Sequence, residues 1–264
     1  MAFWDLLKLP ETRDIKNLDD PATTLLHAKI LRSKALLKKL YSDFYRQFRK
    51  VVEQPENKML VELGSGGGFI KEIIPNTITS DVLDIEGVDK VFSATDMPFG
   101  SCSVDAFFMF DVLHHIAEPR RFFSEANRCL KPGGRIVMIE PTNTLWARFV
   151  FKNYHHELFD PQGGWGFEQQ SPLTTANGAM PWIILIRDRT IFEQEYPGLR
   201  IVSIRNHTTL VYLFSGGFTM RQLLPRFLYP VIRAIEYFLS PFKNQLGMFM
   251  TIVIEKAQEG KTAT

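Results

Sequence analysis

The chain has 264 residues, enough for one large domain or for one domain with an appended cap. Hydrophobic residues at 45% and charged residues at 23% exclude wholesale disorder, and 31 Lys plus Arg against 29 Asp plus Glu leave a net charge of +2, too little for a general nucleic-acid binder. Two cysteines, Cys102 and Cys129, make neither a disulfide framework nor a four-ligand zinc site and point to a reducing compartment; the compositional excess is aromatic, with 22 Phe and 4 Trp.

Asp5 and Lys8 stand where a secretory leader is apolar, and no apolar run approaches the roughly 20 residues of a membrane span. The expectation is a cytoplasmic protein, with attachment to the inner face of a membrane as the variant. From 20 to 52, Leu25, Leu26, Ile30, Leu36, Leu37, Leu40, Phe44 and Phe48 recur at helical spacing behind an Asp19-Asp20-Pro21 start, so residues 1–56 read as an N-terminal helical segment. Lys29, Arg32, Lys34, Lys38, Lys39, Arg46, Arg49 and Lys50 fill much of its other face and read as a solvated surface rather than an anion site.

After a turn at Gln54-Pro55-Glu56-Asn57 the pattern changes to strand-like runs at 58–63, 77–81, 91–92, 105–110 and 135–140, alternating with helix-length segments at 68–74 and 119–130. Such alternation predicts βαβ units and a parallel sheet, an α/β fold. Lys131-Pro132-Gly133-Gly134 ends the second helix with a breaker and with residues tolerant of positive φ.

Val61-Glu62-Leu63-Gly64-Ser65-Gly66-Gly67-Gly68-Phe69-Ile70 carries an apolar strand into glycines and then toward a helix, the setting in which a glycine loop signals a ligand. No Gly-Lys-Ser/Thr follows to make a P-loop, and the sixth position of G-x-G-x-x-G, counted from Gly64, holds Phe69. The glycines fall instead as G-x-G-x-G. Glu62, inside the strand, suits a ligand's ammonium group and would not help bind a pyrophosphate.

Four stretches in order resemble the class I S-adenosylmethionine-dependent methyltransferases, in particular the small-molecule group typified by the ubiquinone and menaquinone methyltransferases. They are Val61-Glu62-Leu63-Gly64-Ser65-Gly66-Gly67-Gly68, Ala94-Thr95-Asp96-Met97-Pro98-Phe99, Phe110-Asp111-Val112-Leu113-His114-His115-Ile116 and Leu130-Lys131-Pro132-Gly133-Gly134-Arg135. The resemblance covers about 58–141 and implies a Rossmann-like, seven-stranded, mostly parallel sheet within a core at 57–141. S-adenosyl-L-methionine would lie across the carboxyl ends of the first strands. On that resemblance Glu62 meets the methionine ammonium, Gly64, Ser65, Gly66 and Gly68 pack against the cofactor, and Asp81 binds the ribose hydroxyls, with Asp84 as substitute if the strand runs longer. Where such proteins often place an Asp for the adenine amino group this chain has Ser93, beside which Ala94 offers a backbone N–H; Asp111 of the third stretch is grouped with the cofactor residues.

Methyl transfer from a sulfonium needs in-line approach and, for a weakly acidic acceptor, a base. His114 and His115 follow the fourth strand at the mouth of the sheet, and His114 is read as lining the site; packing against the cofactor is the competing role. In Asn153-Tyr154-His155-His156-Glu157-Leu158-Phe159-Asp160-Pro161, His155 or His156 would serve as a base oriented by Glu157 or Asp160, with a polar turn on a lid as the alternative. The catalytic candidates are therefore His155, His156 and His114. Neighbouring histidines on a helix diverge by about 100°, and no partners stand at ligand spacing, so no metal site is expected.

The final two strands read as 199–206 and 248–255, which leaves two insertions. The first, 142–198, holds Trp146, Tyr154, Phe159, Trp165, Phe167 and Trp182 and suits an acceptor pocket. The second, within 199–257, carries Leu223, Leu224, Phe227, Leu228, Val231, Ile232, Ile235, Phe238 and Leu239 as a broad stripe beside Arg221, Arg226, Arg233 and Lys243, kinked or split by Pro225 and Pro230. A core helix, a partner interface and an interfacial helix on anionic lipid all fit that pattern; residues 258–264 form a tail. The expected function is methyl transfer to a small or lipid-linked acceptor, with oxygen preferred. C-methylation of a quinone precursor, a glycan hydroxyl and a non-catalytic protein that keeps the fold are the alternatives. No Asp/Asn-Pro-Pro run accompanies the low net charge, so no nucleic-acid partner is expected.

Overall fold

Strands covered on both faces need near-continuous apolar runs, and the stretches that carry them here form one seven-stranded sheet. The computed structural model describes residues 7–258 apart from 14, 16, 156, 169, 170, 172 and 208. In chain order the strands are β1 (Leu60–Leu63), β2 (Ile78–Asp81), β3 (Lys90–Val91), β4 (Val104–Phe110), β5 (Leu130–Pro141), β6 (Leu199–His207) and β7 (Phe249–Lys256). They lie side by side as β3, β2, β1, β4, β5, β7, β6, and β7 runs antiparallel to both its neighbours. This is the Rossmann-like arrangement expected from the sequence. β5 departs from expectation at its start: the Lys131-Pro132-Gly133-Gly134 breaker is part of the strand, which begins at Leu130 and passes through Gly133 at φ +78.

Successive strand residues point to opposite faces, so Ala106 and Phe108 of β4 and Val137 and Ile139 of β5 join one apolar layer. Phe107, Met109, Ile136 and Met138 join the other. Helices α1 (Pro21–Ser33) and α2 (Ala35–Val51) cover the first layer, with Phe48 stacked on Phe108 at 5.2 Å. Helix α3 (Pro119–Cys129) covers the second through Phe122 and Phe123. Full burial of each such side chain contributes about 1.5–3 kcal/mol.

Three local expectations are corrected. The 20–52 pattern is two helices, broken at Lys34 (φ −88°, ψ 103°). The buried Lys34 ammonium donates to the carbonyls of Gly217 (2.5 Å) and Met220 (2.6 Å), and the Leu36 N–H at the new helix start is capped by Gln222 Oε1 at 2.9 Å. Burial holds the Lys34 ammonium down to about 8. Arg32 donates to the carbonyls of Gly67 and Gly68, each at 3.1 Å. Two of the cations read as solvated are thus fasteners between α1 and its surroundings. Second, the segment at 68–74 is only a 3-10 turn, Ile70–Glu72, because Phe69 leaves helical geometry (φ −143°) and Pro75 follows closely. Third, the stripe at 223–239 is not one helix: Pro225 is extended (ψ 155°), a 3-10 turn follows at Arg226–Leu228, and the α-helix begins at Tyr229.

The first insertion contains α4 (Leu145–Tyr154), capped by Thr144 Oγ1 accepting from the Ala147 N–H at 3.0 Å, and α5 (Arg189–Glu195). The second contains α6 (Leu210–Ser215) and α7 (Tyr229–Leu239). Among the described residues no helix is long and apolar enough to cross a membrane.

A Cβ on Gly67 would lie 2.5 Å from the Ala28 Cβ and 2.7 Å from its Cα, so α1 rests directly on the glycine loop. Gly67→Ala should therefore destabilise the fold by about 1–3 kcal/mol, read as a lower Tm. Gly100→Ala, where an added Cβ meets nothing within 4 Å, should leave Tm unchanged. Equal Tm values for the two variants would refute the close approach.

Candidate active site

The chain leaves β1 toward β2 and later returns to the other side of β1 as β4, so the carboxyl ends of these strands open a crevice. The cavity there measures about 1200 Å³, above the roughly 300–1,000 Å³ of an ordinary small-molecule pocket, which is room for two ligands. Glu62, Gly64, Ser65, Gly66, Gly68, Asp81, Ser93, Ala94 and Asp111 all line it. Asp84 does not, because β2 ends at Asp81.

Gly64 (φ +64°) and Gly66 (φ +48°) make the left-handed turn that only glycine adopts without strain. Gly68 serves packing, since a Cβ there would meet the Tyr45 hydroxyl at 2.4 Å. Asp81 accepts from the Gly66 N–H at 2.9 Å and from the Leu83 N–H at 3.0 Å, which leaves carboxyl lone pairs for a ligand hydroxyl. The Ser93 hydroxyl is engaged with Thr95 Oγ1 at 2.8 Å. Glu62 is buried with its Oε2 lacking any hydrogen-bond partner. Burial pushes its carboxyl up to about 8, with the Ser65 and Tyr45 hydroxyls pulling it partly back. A buried acceptor in that condition is costly until a cation faces it.

Beyond Asp111 the cavity meets a cluster of carboxyl and imidazole groups. Glu140, fully buried at the end of β5, accepts from the N–H groups of Val112 (2.9 Å) and Leu113 (2.7 Å) and bonds His114 Nδ1 at 2.8 Å. His114 Nε2 lies 3.4 Å from Glu157, which is also within 3.7 Å of both His115 Nε2 and His155 Nδ1. Burial alone would lower the His114 pKa, but its bonds to Glu140 and Glu157 outweigh this and raise it well above 6.5. Glu157 is correspondingly held below the usual carboxylate range by these histidines, against the opposing effect of burial. His114 is therefore a fixed imidazolium behind the cavity wall and not a lining base; with both nitrogens committed it has no lone pair for a proton or a metal ion. His115 and His155 line the cavity, and His156 lies outside the described residues.

Asp111 takes a left-handed backbone (φ +62°), uncommon outside glycine but tolerated by Asp, and its Oδ1 finds no hydrogen-bond donor. Enclosure pushes this carboxyl up to about 7; Glu140 and Glu157 add to the rise and His114 opposes it. The remaining walls are aromatic: Trp146, Phe149, Phe151 and Tyr154 from the first insertion, Tyr212 and Phe218 from the second, Tyr41 from α2. Burial raises the Tyr41 and Tyr212 phenols, so they stay protonated. Sequence reasoning missed Glu140, His27 and the wall at 216–221. Only Glu140 left a signal, as an acid closing the apolar run 136–139.

Removing one partner of a buried ionic chain costs about 3–5 kcal/mol, so His114→Gln should lower Tm strongly and loosen the 142–198 insertion to protease. The pH dependence follows from both shifts. The raised His114 contributes fully below about 6.5 and is lost as pH rises through its folded pKa; the depressed Glu157 contributes above about 4.5 and is lost on acidification. The gap in Tm between wild type and variant should therefore be widest between these limits and shrink in alkali. A gap independent of pH would refute the imidazolium assignment.

Residues 61–138 match the protein family described as "Methyltransferase domain". A stretch of 47 residues is 49% identical to the demethylmenaquinone methyltransferase of Clavibacter sepedonicus, covering 18% of this chain and 19% of that relative's length. A solved structure of the complex between the Haloferax volcanii Trm112 methyltransferase activator and the putative methyltransferase superposes with a TM-score of 0.53 at 15% identity, over 92% of this chain and 98% of that one. A Thermotoga maritima S-adenosylmethionine-dependent methyltransferase, described as a possible histamine N-methyltransferase, superposes with a TM-score of 0.50 at 15% identity, over 82% and 89%. The superpositions speak for the fold; the domain match over residues 61–138 and the ordered motifs support a class I S-adenosylmethionine-dependent methyltransferase.

Proposed function

We propose that the protein transfers a methyl group from S-adenosylmethionine to a small, largely apolar acceptor whose reacting oxygen faces Asp111, His115 and His155. The supporting observation is one cavity that joins the Glu62 carboxyl, whose Oε2 lacks a hydrogen-bond partner, at one end, to an aromatic chamber closed by that polar cluster. The bound cofactor supplies an electrophilic methyl on a sulfonium. Glu62 and Asp81 fix its two polar ends by charge and hydrogen bonding. The aromatic walls hold a flat or lipid-linked acceptor and exclude water. A carboxyl pushed up to about 7 takes a hydroxyl proton at neutral pH, which makes Asp111 a base alongside the two histidines. Glu157, kept ionised, stabilises an imidazole that has accepted a proton.

Carbon methylation of a quinone precursor is the second reading, favoured by the local identity to a demethylmenaquinone methyltransferase. It uses the same base, since removing the proton of a ring hydroxyl places electron density on ring carbon. Methyl-labelled cofactor incubated with an extract of the source cells tests both. Label should enter an organic-soluble product whose methyl is ether-linked or carbon-linked. Cofactor binding without any transfer would instead favour a non-catalytic protein.

Glu62→Gln should weaken cofactor binding by about tenfold or more. It should also raise the Tm of the cofactor-free protein. Because the folded pKa lies at about 8 instead of 4.5, the native state holds an extra proton across that window and loses stability as pH rises through it; glutamine removes the loss. Calorimetry should accordingly show proton release when wild type binds the cofactor near neutrality. Unchanged affinity would remove Glu62 from the site.

Asp111→Asn should lower kcat about 10²–10⁴-fold and abolish the limb of the pH–rate profile near 7. His115→Ala and His155→Ala should reduce kcat with cofactor affinity retained. Full rates in all three variants would place the base elsewhere.

A further inference from the structure

Helix α7 is apolar on two opposite sides, and one of them is uncovered. Tyr229, Ile232 and Glu236 face inward; Glu236 Oε1 accepts the Val211 N–H at 2.9 Å and fixes α7 over the start of α6. On the other side Val231, Ile235 and Phe238 are exposed, Phe238 at 76%, and Phe227 just before the helix is exposed at 75%. A helix apolar all round has to bury both sides.

The charges around the uncovered side are of one sign. Between 210 and 247 the cations at the surface are Arg221, Arg226, Arg233 and Lys243; Arg233 pairs with the single carboxyl in that stretch, the buried Glu236, at 2.5 Å, and Arg221 lines the cavity, which leaves Arg226 and Lys243 without a carboxyl of their own segment. In a chain of net charge +2 this is a local concentration of cations set around apolar side chains. That pairing complements an anionic lipid surface, where apolar groups enter the acyl boundary and each Arg or Lys meets a phosphate.

We infer that the 221–243 segment docks the protein on an anionic bilayer, with α7 lying in the plane of the interface. The docked face adjoins the cavity. Leu223, exposed at the start of the segment, lines the cavity with Phe149 and Tyr154 of α4, which are also exposed. The stretch Lys243–Leu246 packs beside α4, joined by the Thr144 Oγ1 bond to the Gly247 carbonyl at 2.6 Å. Docking thus turns the mouth toward lipid and selects an acceptor of one class, an amphiphile with its tail in the bilayer and a hydroxyl-bearing head in the cavity. That choice of acceptor rests on the methyltransferase reading; the docking does not.

Sedimentation with vesicles separates the two. The full chain should pellet with phosphatidylcholine–phosphatidylglycerol vesicles, pellet little with pure phosphatidylcholine, and be released by salt. Phe227→Ser/Phe238→Ser should weaken binding to the mixed vesicles about tenfold or more, as should Arg226→Glu/Lys243→Glu, with S-adenosylmethionine affinity unchanged in both. Failure to pellet with mixed vesicles, or equal pelleting by the variants, overturns the docking. So does a dimer in light scattering that Phe227→Ser/Phe238→Ser dissociates, for a second copy would then cover the face. Normal vesicle binding with no methyl transfer to any lipid extract would leave the docking standing and refute the acceptor class.

Discussion

The far end of the cavity depends on one buried ionic line, Glu140–His114–Glu157. Glu140 belongs to the sheet, His114 to the turn after β4 and Glu157 to the first insertion, so the line ties a long, aromatic insertion to the rigid carboxyl edge of the strands. Desolvating three ionisable groups is unfavourable unless each is paired and hydrogen-bonded. Glu140 meets that condition by accepting two backbone N–H groups besides the imidazole. Without the line, the segment that follows α4 would lose its tie to the sheet, and Asp111, whose carboxyl is held high chiefly by burial, would lose the neighbouring charges that adjust it further.

On the cofactor side the comparable constraint is steric. Gly67 and Gly68 admit Ala28 and Tyr45 so closely that the N-terminal helices form the back of the glycine loop, and Arg32 fastens its carbonyls. The loop is thereby held from both sides, by Asp81 through the Gly66 N–H and by α1. If this loop holds the cofactor as proposed, the site is preorganised at the cost of leaving Glu62 Oε2 without a partner, a trade of native stability for affinity.

What could be read from the sequence divides along the same line. That Glu62, Gly64 and Gly66 would stand together was legible because a strand running into a glycine turn is specified by neighbouring residues; Asp81, which lines the same cavity, came only through the family resemblance. The sheet was legible because apolar runs of strand length recur between turn residues. His114 was misplaced because its role depends on Glu140, distant in sequence, and nothing local tells a lining histidine from a buried one. Lys34 was misread for the same reason, since its acceptors are the carbonyls of Gly217 and Met220 across the fold. The 68–74 segment was over-read because its apolar spacing ignored how soon Pro75 follows Phe69.

The position of β7 bears on how the molecule is assembled. It is the last strand in the chain yet lies between β5 and β6, paired along Arg135 to Pro141 on one side and Leu199 to His207 on the other. During synthesis, β5 and β6 therefore emerge with unpaired edges, and the residues that complete the cavity, including Gly217 and Met220, are made before the strand that locks them in place. Until β7 arrives, the β5 edge is a template for strand addition by any other chain, so the nascent protein is most exposed to mispairing in the interval when its cofactor motifs are already complete.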